Sequence, residues 1–152
     1  MNIENAIAEL ERSILAEIPL TRAMQLELRD YDGERLTFAA PLPPNINDKG
    51  CAFGGSLVSV MTLAGWGLVV LKLREIGTEC DVYVQDSAVR YLAPVWSDFV
   101  ACAQLADGES WENFAATLNQ KGRSRATVDC RVPLAENGDA CTMRARFVAV
   151  MR

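Results

Sequence analysis

Residues Ala52–Leu71 read AFGGSLVSVMTLAGWGLVVL. The stretch has no Asp, Glu, Lys or Arg, and on length alone it would span a bilayer. It also holds Gly54, Gly55, Gly65 and Gly67, with Ser56, Ser59 and Thr62 among them. A helix apolar all round is either a membrane span or the buried centre of a soluble fold. The nearest flanks, Asp48 and Lys49 before and Lys72 and Arg74 after, show no charge asymmetry that would orient a span. A span would also leave the amphipathic strands around it with nothing to pack on. The expectation is a central helix wrapped by a sheet, with the four glycines admitting strands or a partner helix at close range.

Toward the N-terminus, residues 2–16 place Ile3, Ile7, Leu10 and Ile14 at helical spacing, and Pro19 ends that helix. Met24–Arg29 and Leu36–Ala40 alternate apolar and polar residues on either side of a turn at Asp30–Gly33, which is a hairpin pattern. Pro41, Pro43 and Pro44 stop regular structure, and the loop NINDKGCA leads into the apolar stretch. Beyond it, Gly77 closes the helix and Cys80–Leu92 and Asp98–Leu105 read as strands. In Ser110–Gln120 the period changes: Trp111, Phe114, Ala115 and Leu118 follow a helical spacing behind a Ser N-cap. Arg125–Leu134 and Ala140–Met151 are two further strands joined by a turn at Glu136–Asp139. This order predicts an α+β fold, an antiparallel sheet curled around one buried helix. One sheet edge stays open unless another subunit covers it.

Composition bounds the function. A chain of 152 residues, half of them hydrophobic, is most simply one domain, 1–152, with a real core. A net charge of −5 argues against a nucleic-acid partner held through phosphate attraction. Glu4, Glu9, Glu11 and Glu17 occupy the N-terminus where a signal peptide needs a basic start, so the chain reads as cytoplasmic, with no membrane partner. Five cysteines with no CxxC pair read as small hydrophobes in a reducing compartment. Cys51 has no neighbouring base in the sequence to make it a nucleophile. The absence of histidine removes a Ser-His-Asp triad, a Cys-His pair and every imidazole metal ligand, and no metal is expected. Proton transfer must then run through carboxylates, hydroxyls, amides, Lys, Cys or Tyr, or through water they hold.

The loop Asn47-Asp48-Lys49-Gly50-Cys51-Ala52-Phe53-Gly54-Gly55-Ser56-Leu57 carries the chemistry. Two glycines at a helix start allow close backbone approach, and free N–H groups there suit a developing negative charge. Asn47 offers an amide just ahead of them. The residues alone leave two readings open: an oxyanion site, or a packed Gly-Gly step behind a turn-forming Asn.

This loop resembles the helix-start loop of the hot-dog thioesterase superfamily, in which Asn, then Gly, then His-Gly-Gly open the central helix. AFGGSL, DSAVRYLAPV, KGRSR and RFVAV resemble more closely one thioesterase-like family that also occurs fused to a GNAT-type acetyltransferase; that half is absent here. The resemblance implies hydrolysis of an acyl thioester on coenzyme A or acyl carrier protein. The pantetheine carrier is then part of the substrate, and no separate cofactor is implied. It also implies a homodimer or dimer of dimers with two sites at the interface. Asn47, Gly54 and Gly55 would polarise the carbonyl, with Phe53 and Ser56 lining the substrate. Lys121, Arg123 and Arg125 would meet carrier phosphates; a solvated basic turn is the other reading. Two departures stand out: Phe53 replaces the motif histidine, and Thr62 stands where many relatives carry a helix carboxylate. Thr62 can orient a water but cannot act as a base. The acid is then sought at Asp48 or Asp86. Asp86 shares a strand face with Arg90, as a buried ion pair or as a catalytic acid beside an acyl-carboxylate contact. The missing helix acid also fits decarboxylation of a malonyl thioester in fatty-acid initiation, which needs no base. A third reading is a non-catalytic acyl-thioester binding module.

Overall fold

The computed structural model describes residues 2–152. The chain begins with helix α1 (Ile3–Glu17), whose first turn is capped by the Asn2 side chain. Ala6, Leu10 and Ile14 form its buried stripe. Pro19 does not simply stop the helix. It stands at the first position of a second, short helix, α2 (Pro19–Ala23), because its missing N–H is free of obligation there. The buried Thr21 hydroxyl ties α2 back to the Ile14 and Ile18 carbonyls.

Strands β1 (Glu27–Tyr31) and β2 (Arg35–Ala40) form the expected hairpin, with a bulge between Leu28 and Asp30. The proline run forms one short 3-10 turn, Pro43–Asn45, before helix α3 (Gly54–Ile76). This 23-residue helix is the apolar stretch itself, extended to Gly77, whose φ of 73° closes it in the left-handed region. After it come β3 (Cys80–Tyr91), β4 (Phe99–Leu105), α4 (Trp111–Lys121), β5 (Arg123–Pro133) and β6 (Asp139–Met151). Ser110 caps α4 by accepting from the Asn113 N–H.

The six strands make one antiparallel sheet in the order β1-β2-β4-β5-β6-β3. Its inner face wraps α3. Ala126, Val128, Cys130 and Val132 of β5 and Met143, Ala145 and Phe147 of β6 point inward and are buried, while arginines alternate outward. Gly65 lets Phe147 reach the helix axis: a Cβ there would lie 2.7 Å from the ring. Gly67 admits Leu36 and Leu10 in the same way. The apolar helix is thus a core helix.

Two surfaces lack a partner. Strand β3 is an edge, bonded only to β6, and Tyr83 and Val84 on it are exposed. Helix α3 keeps a partly open stripe through Ser59, Thr62, Leu63, Trp66 and Val70, one side of an otherwise buried cylinder. Trp66 holds stripe and edge together by donating its Nε1–H to the Val82 carbonyl at 3.0 Å.

Candidate active site

The start of α3 is uncapped. Phe53 occupies the N-cap position in an extended conformation and supplies no side-chain hydrogen bond. Its carbonyl accepts from the Ser56 and Leu57 N–H groups. Among the described residues no protein group accepts from Gly54 or Gly55, so two amides at the positive end of a long helix are unclaimed. Both glycines let an exposed aromatic ring lie close against the helix start. A Cβ at Gly55 would sit 2.4 Å from the Phe53 ring, and one at Gly54 would sit 3.2 Å from the Tyr91 ring. Two exposed aromatics therefore flank the amides, with Phe53 standing where the motif histidine would be.

The loop ahead of them is held from inside. Asn47 Oδ1 accepts from the Lys49 and Cys51 N–H groups at 2.8 and 3.2 Å, which fixes which end of the carboxamide carries the NH2. Nδ2 donates to the buried Cys51 sulfur at 3.2 Å, leaving its second hydrogen for a ligand. Asn47 is thus both the turn former and an oriented donor, and the two readings left open by the sequence are compatible. A second asparagine, which sequence reasoning missed, anchors the whole loop. Asn45 is buried and its Nδ2 donates to the Met24 and Pro41 carbonyls at 3.0 and 2.7 Å, while its backbone carbonyl receives the Phe53 N–H at 2.7 Å. The only available signal was an Asn directly after Pro-Pro; its partners lie in other elements. Ala52 N–H bonds Val95, bringing the loop after β3 alongside, so Ile46, Phe53, Tyr91, Leu92 and Trp96 form an exposed apolar rim at the helix mouth.

The remaining candidates are dispersed. Ser56 lies in the first turn of α3, beside the free amides. Thr62 is on the stripe that starts at Gly55, about 10 Å along the helix axis, where its hydroxyl meets Met143 sulfur at 3.8 Å. Asp48 is exposed and paired with Lys49 at 3.1 Å. Asp86 is not in a buried pair with Arg90. A bulge at Gln85 precedes it, and it lies on the outer sheet face, exposed and fork-bonded to Arg146. That guanidinium holds the Asp86 carboxyl below the usual carboxylate range. Arg90 shares the outer face, turned away from the helix. Within one chain neither residue is brought to the Asn47 loop, because β3 alternates its faces and Tyr91 is the residue pointing inward there.

Lys121, Arg123 and Arg125 line one cleft of about 540 Å3 together with Asn113, Thr117 and Ser124. Val132 of β5 pairs with Cys141, which pairs with Tyr91 at the loop. Arg125 is seven residues back along the same strand, so the basic cleft lies about 23 Å from the loop.

A six-stranded antiparallel sheet around a helix of this length, with free amides at its glycine start, is a hot-dog domain of the thioesterase type. The chain belongs to the family described as "Putative thioesterase (yiiD_Cterm)", which it matches over residues 7–151. A crystal structure of a protein of unknown function from Chlorobaculum tepidum TLS is similar at 29% identity and TM-score 0.92, over 98% of this chain and 96% of that one. A crystal structure of a "putative thioesterase" from Shewanella oneidensis is similar at 26% identity and TM-score 0.86, over 97% and 99%. A protein of unknown function from Pseudomonas aeruginosa, described as a "probable thioesterase", shares the fold at 16% identity and TM-score 0.78 over 95% and 96%.

Proposed function

We propose that the protein hydrolyses an acyl thioester carried on coenzyme A or acyl carrier protein, as a homodimer with two sites at the interface. The observation that carries this reading is the pair of unclaimed Gly54 and Gly55 amides at the start of α3, preceded in the same loop by the oriented Asn47 Nδ2. Water attacks the thioester carbonyl carbon and the carbonyl oxygen gains negative charge. Preorganised N–H donors at that oxygen are often the largest catalytic contribution. The C–S bond then breaks and the thiolate takes a proton. Phe53, Ser56 and the apolar rim bound the acyl group.

The dimer supplies what one chain lacks. Antiparallel pairing of the β3 edge with its own copy about a two-fold axis sets the start of one β3 beside the end of the other. The Lys121–Arg125 cleft of one subunit then approaches the Asn47 loop of the second, within reach of a pantetheine arm and its phosphates. The same axis packs the open stripes of the two α3 helices together, moving Thr62 of one subunit toward Gly55 of the other, where it can orient water. Asp48, a carboxylate on the loop itself, takes the proton from the attacking water.

A second reading uses the same donors without a base, and one observation favours it: Asp86 is tied to Arg146 on the outer face and no acid lies on α3 before Glu75. In a malonyl thioester the bond between the carboxylate and the α-carbon breaks, carbon dioxide leaves, and the electrons rest on the carbonyl oxygen as an enolate. Water then protonates the α-carbon.

The deciding experiment is mass-spectrometric product analysis on acyl and malonyl thioesters of both carriers, using wild type and Asn47→Asp. Free acid plus free thiol, lost in the variant, is the expected result. Carbon dioxide with the thioester intact moves the assignment to decarboxylation. No turnover of any substrate leaves a binding module.

A further inference from the structure

The sheet face turned away from α3 is not evenly polar. Where β2, β4, β5, β6 and β3 lie side by side it forms a groove of about 460 Å3. The floor is made of small side chains, Ala88, Cys102 and Thr142, and the walls are four arginines, Arg35, Arg90, Arg131 and Arg144. Cross-strand register explains the clustering. Arg131 pairs with Thr142 and Thr142 with Arg90, so a short residue separates two guanidinium stems in one row. Arg35, Gln104, Asp129, Arg144 and Ala88 make the next row.

Two of the four charges are answered inside the groove. Arg144 is fork-bonded to Asp129 at 2.7 and 2.9 Å, and Arg131 holds Asp139 at 2.7 Å. Asp107 and Glu109 add to the negative field around Arg144. Arg35 has only the neutral Gln104 amide at 3.2 Å, with Asp32 near its backbone. Among the described residues no carboxylate lies within ion-pair distance of Arg90. Four arginines against two lining aspartates leave two positive charges in a chain whose net charge is −5. The imbalance is greatest on the Arg90–Arg131 side, over the Thr142 floor.

We propose that this groove is a binding site for a small phosphate-bearing anion, separate from the thioester site, with Arg90 as its principal contact. Guanidinium groups match phosphate oxygens in pairs, and a groove of this volume takes a ligand of nucleotide size. A second copy of the chain is the poorer occupant, because face-to-face packing sets two positive grooves against each other. The site stays open in a dimer built on the β3 edge and the α3 stripe, since that partner adds to the sheet rather than covering its outer face.

The test is calorimetric titration of the full chain with inorganic pyrophosphate and with ADP, at low and raised salt. It compares wild type, Arg90→Glu, the milder Arg90→Gln, and Arg123→Glu in the other basic cleft, with melting curves confirming that each is folded. Saturable binding is expected to include a component of one anion per chain that is weakened at least tenfold by Arg90→Glu and several-fold by Arg90→Gln and that persists in Arg123→Glu. Binding of ADP without pyrophosphate identifies a nucleotide ligand; binding of both identifies the phosphates as the recognised group. Absence of saturable binding, or loss that follows Arg123 instead of Arg90, overturns the proposal. So does a groove closed to both probes in a chain that sediments as a tetramer. The outcome is independent of the thioester assay.

Discussion

At the scale of single residues, Asn47 performs two jobs that different substitutions separate. Asn47→Asp keeps an oxygen to accept from the Lys49 and Cys51 N–H groups but has no N–H to offer a carbonyl. It should leave the melting temperature near wild type while turnover falls by about 10²–10³-fold, the scale for losing one oxyanion donor. Asn47→Ala removes the acceptor as well and should cost about 1–2 kcal/mol of stability besides. Equal activity in Asn47→Asp and wild type would exclude Asn47 as a donor. Tyr31 gives a second residue-level prediction. Burial first, then its hydrogen bond to Glu75 at 2.5 Å, push its hydroxyl well above the ordinary tyrosine value. The folded state thus favours neutral Tyr31. That contribution is complete below the ordinary tyrosine pKa of about 10 and is lost as pH rises above it. Urea unfolding between pH 9 and 11 should show stability falling with pH, and Tyr31→Phe should flatten the slope.

At the scale of elements, the helix–sheet seam turns on Gly65. Phe147 is fully buried and has no room to swing away, so Gly65→Ala should destabilise the protein by about 1–3 kcal/mol despite the better helix propensity of alanine. Gly67→Ala meets a Leu36 methyl at 3.0 Å and should cost less. Urea titrations of both variants check the order. Element boundaries were largely legible in the sequence because they follow local signals: the Gly77 cap, the Ser110 cap and the alternation in β5 and β6. What local signals could not convey was partner identity. Asp86 and Arg90 share a face of β3 as their spacing indicates, yet the carboxylate bonds Arg146, sixty residues away and directly across the ladder. Asn45 escaped notice for the same reason, since the carbonyls it satisfies belong to Met24 and Pro41. Pro19 misled differently: as a helix breaker it is also a good first residue of the next helix.

At the scale of the whole molecule, an exposed strand edge and an open helix stripe on the same side call for a symmetric partner. Light scattering should report a dimer. Val84→Arg, which puts a charge on the exposed inner side of β3, should shift it toward monomer and reduce thioester turnover with it. A monomeric wild type retaining full activity would refute the interface sites. The sequence by itself determined that one apolar helix forms the core, that strands surround it, and that a glycine-rich turn with Asn47 precedes it. These follow from hydrophobic period and glycine placement, which are local properties of the chain. Only the tertiary structure decided that the Gly54 and Gly55 amides are left free, that Asp86 faces away from them, and that the basic turn lies a strand's length from the loop. Each of those depends on which strand lies beside which and on which face a residue takes after a bulge. Cross-strand register joins residues far apart in the chain, and no nearby stretch of sequence encodes it.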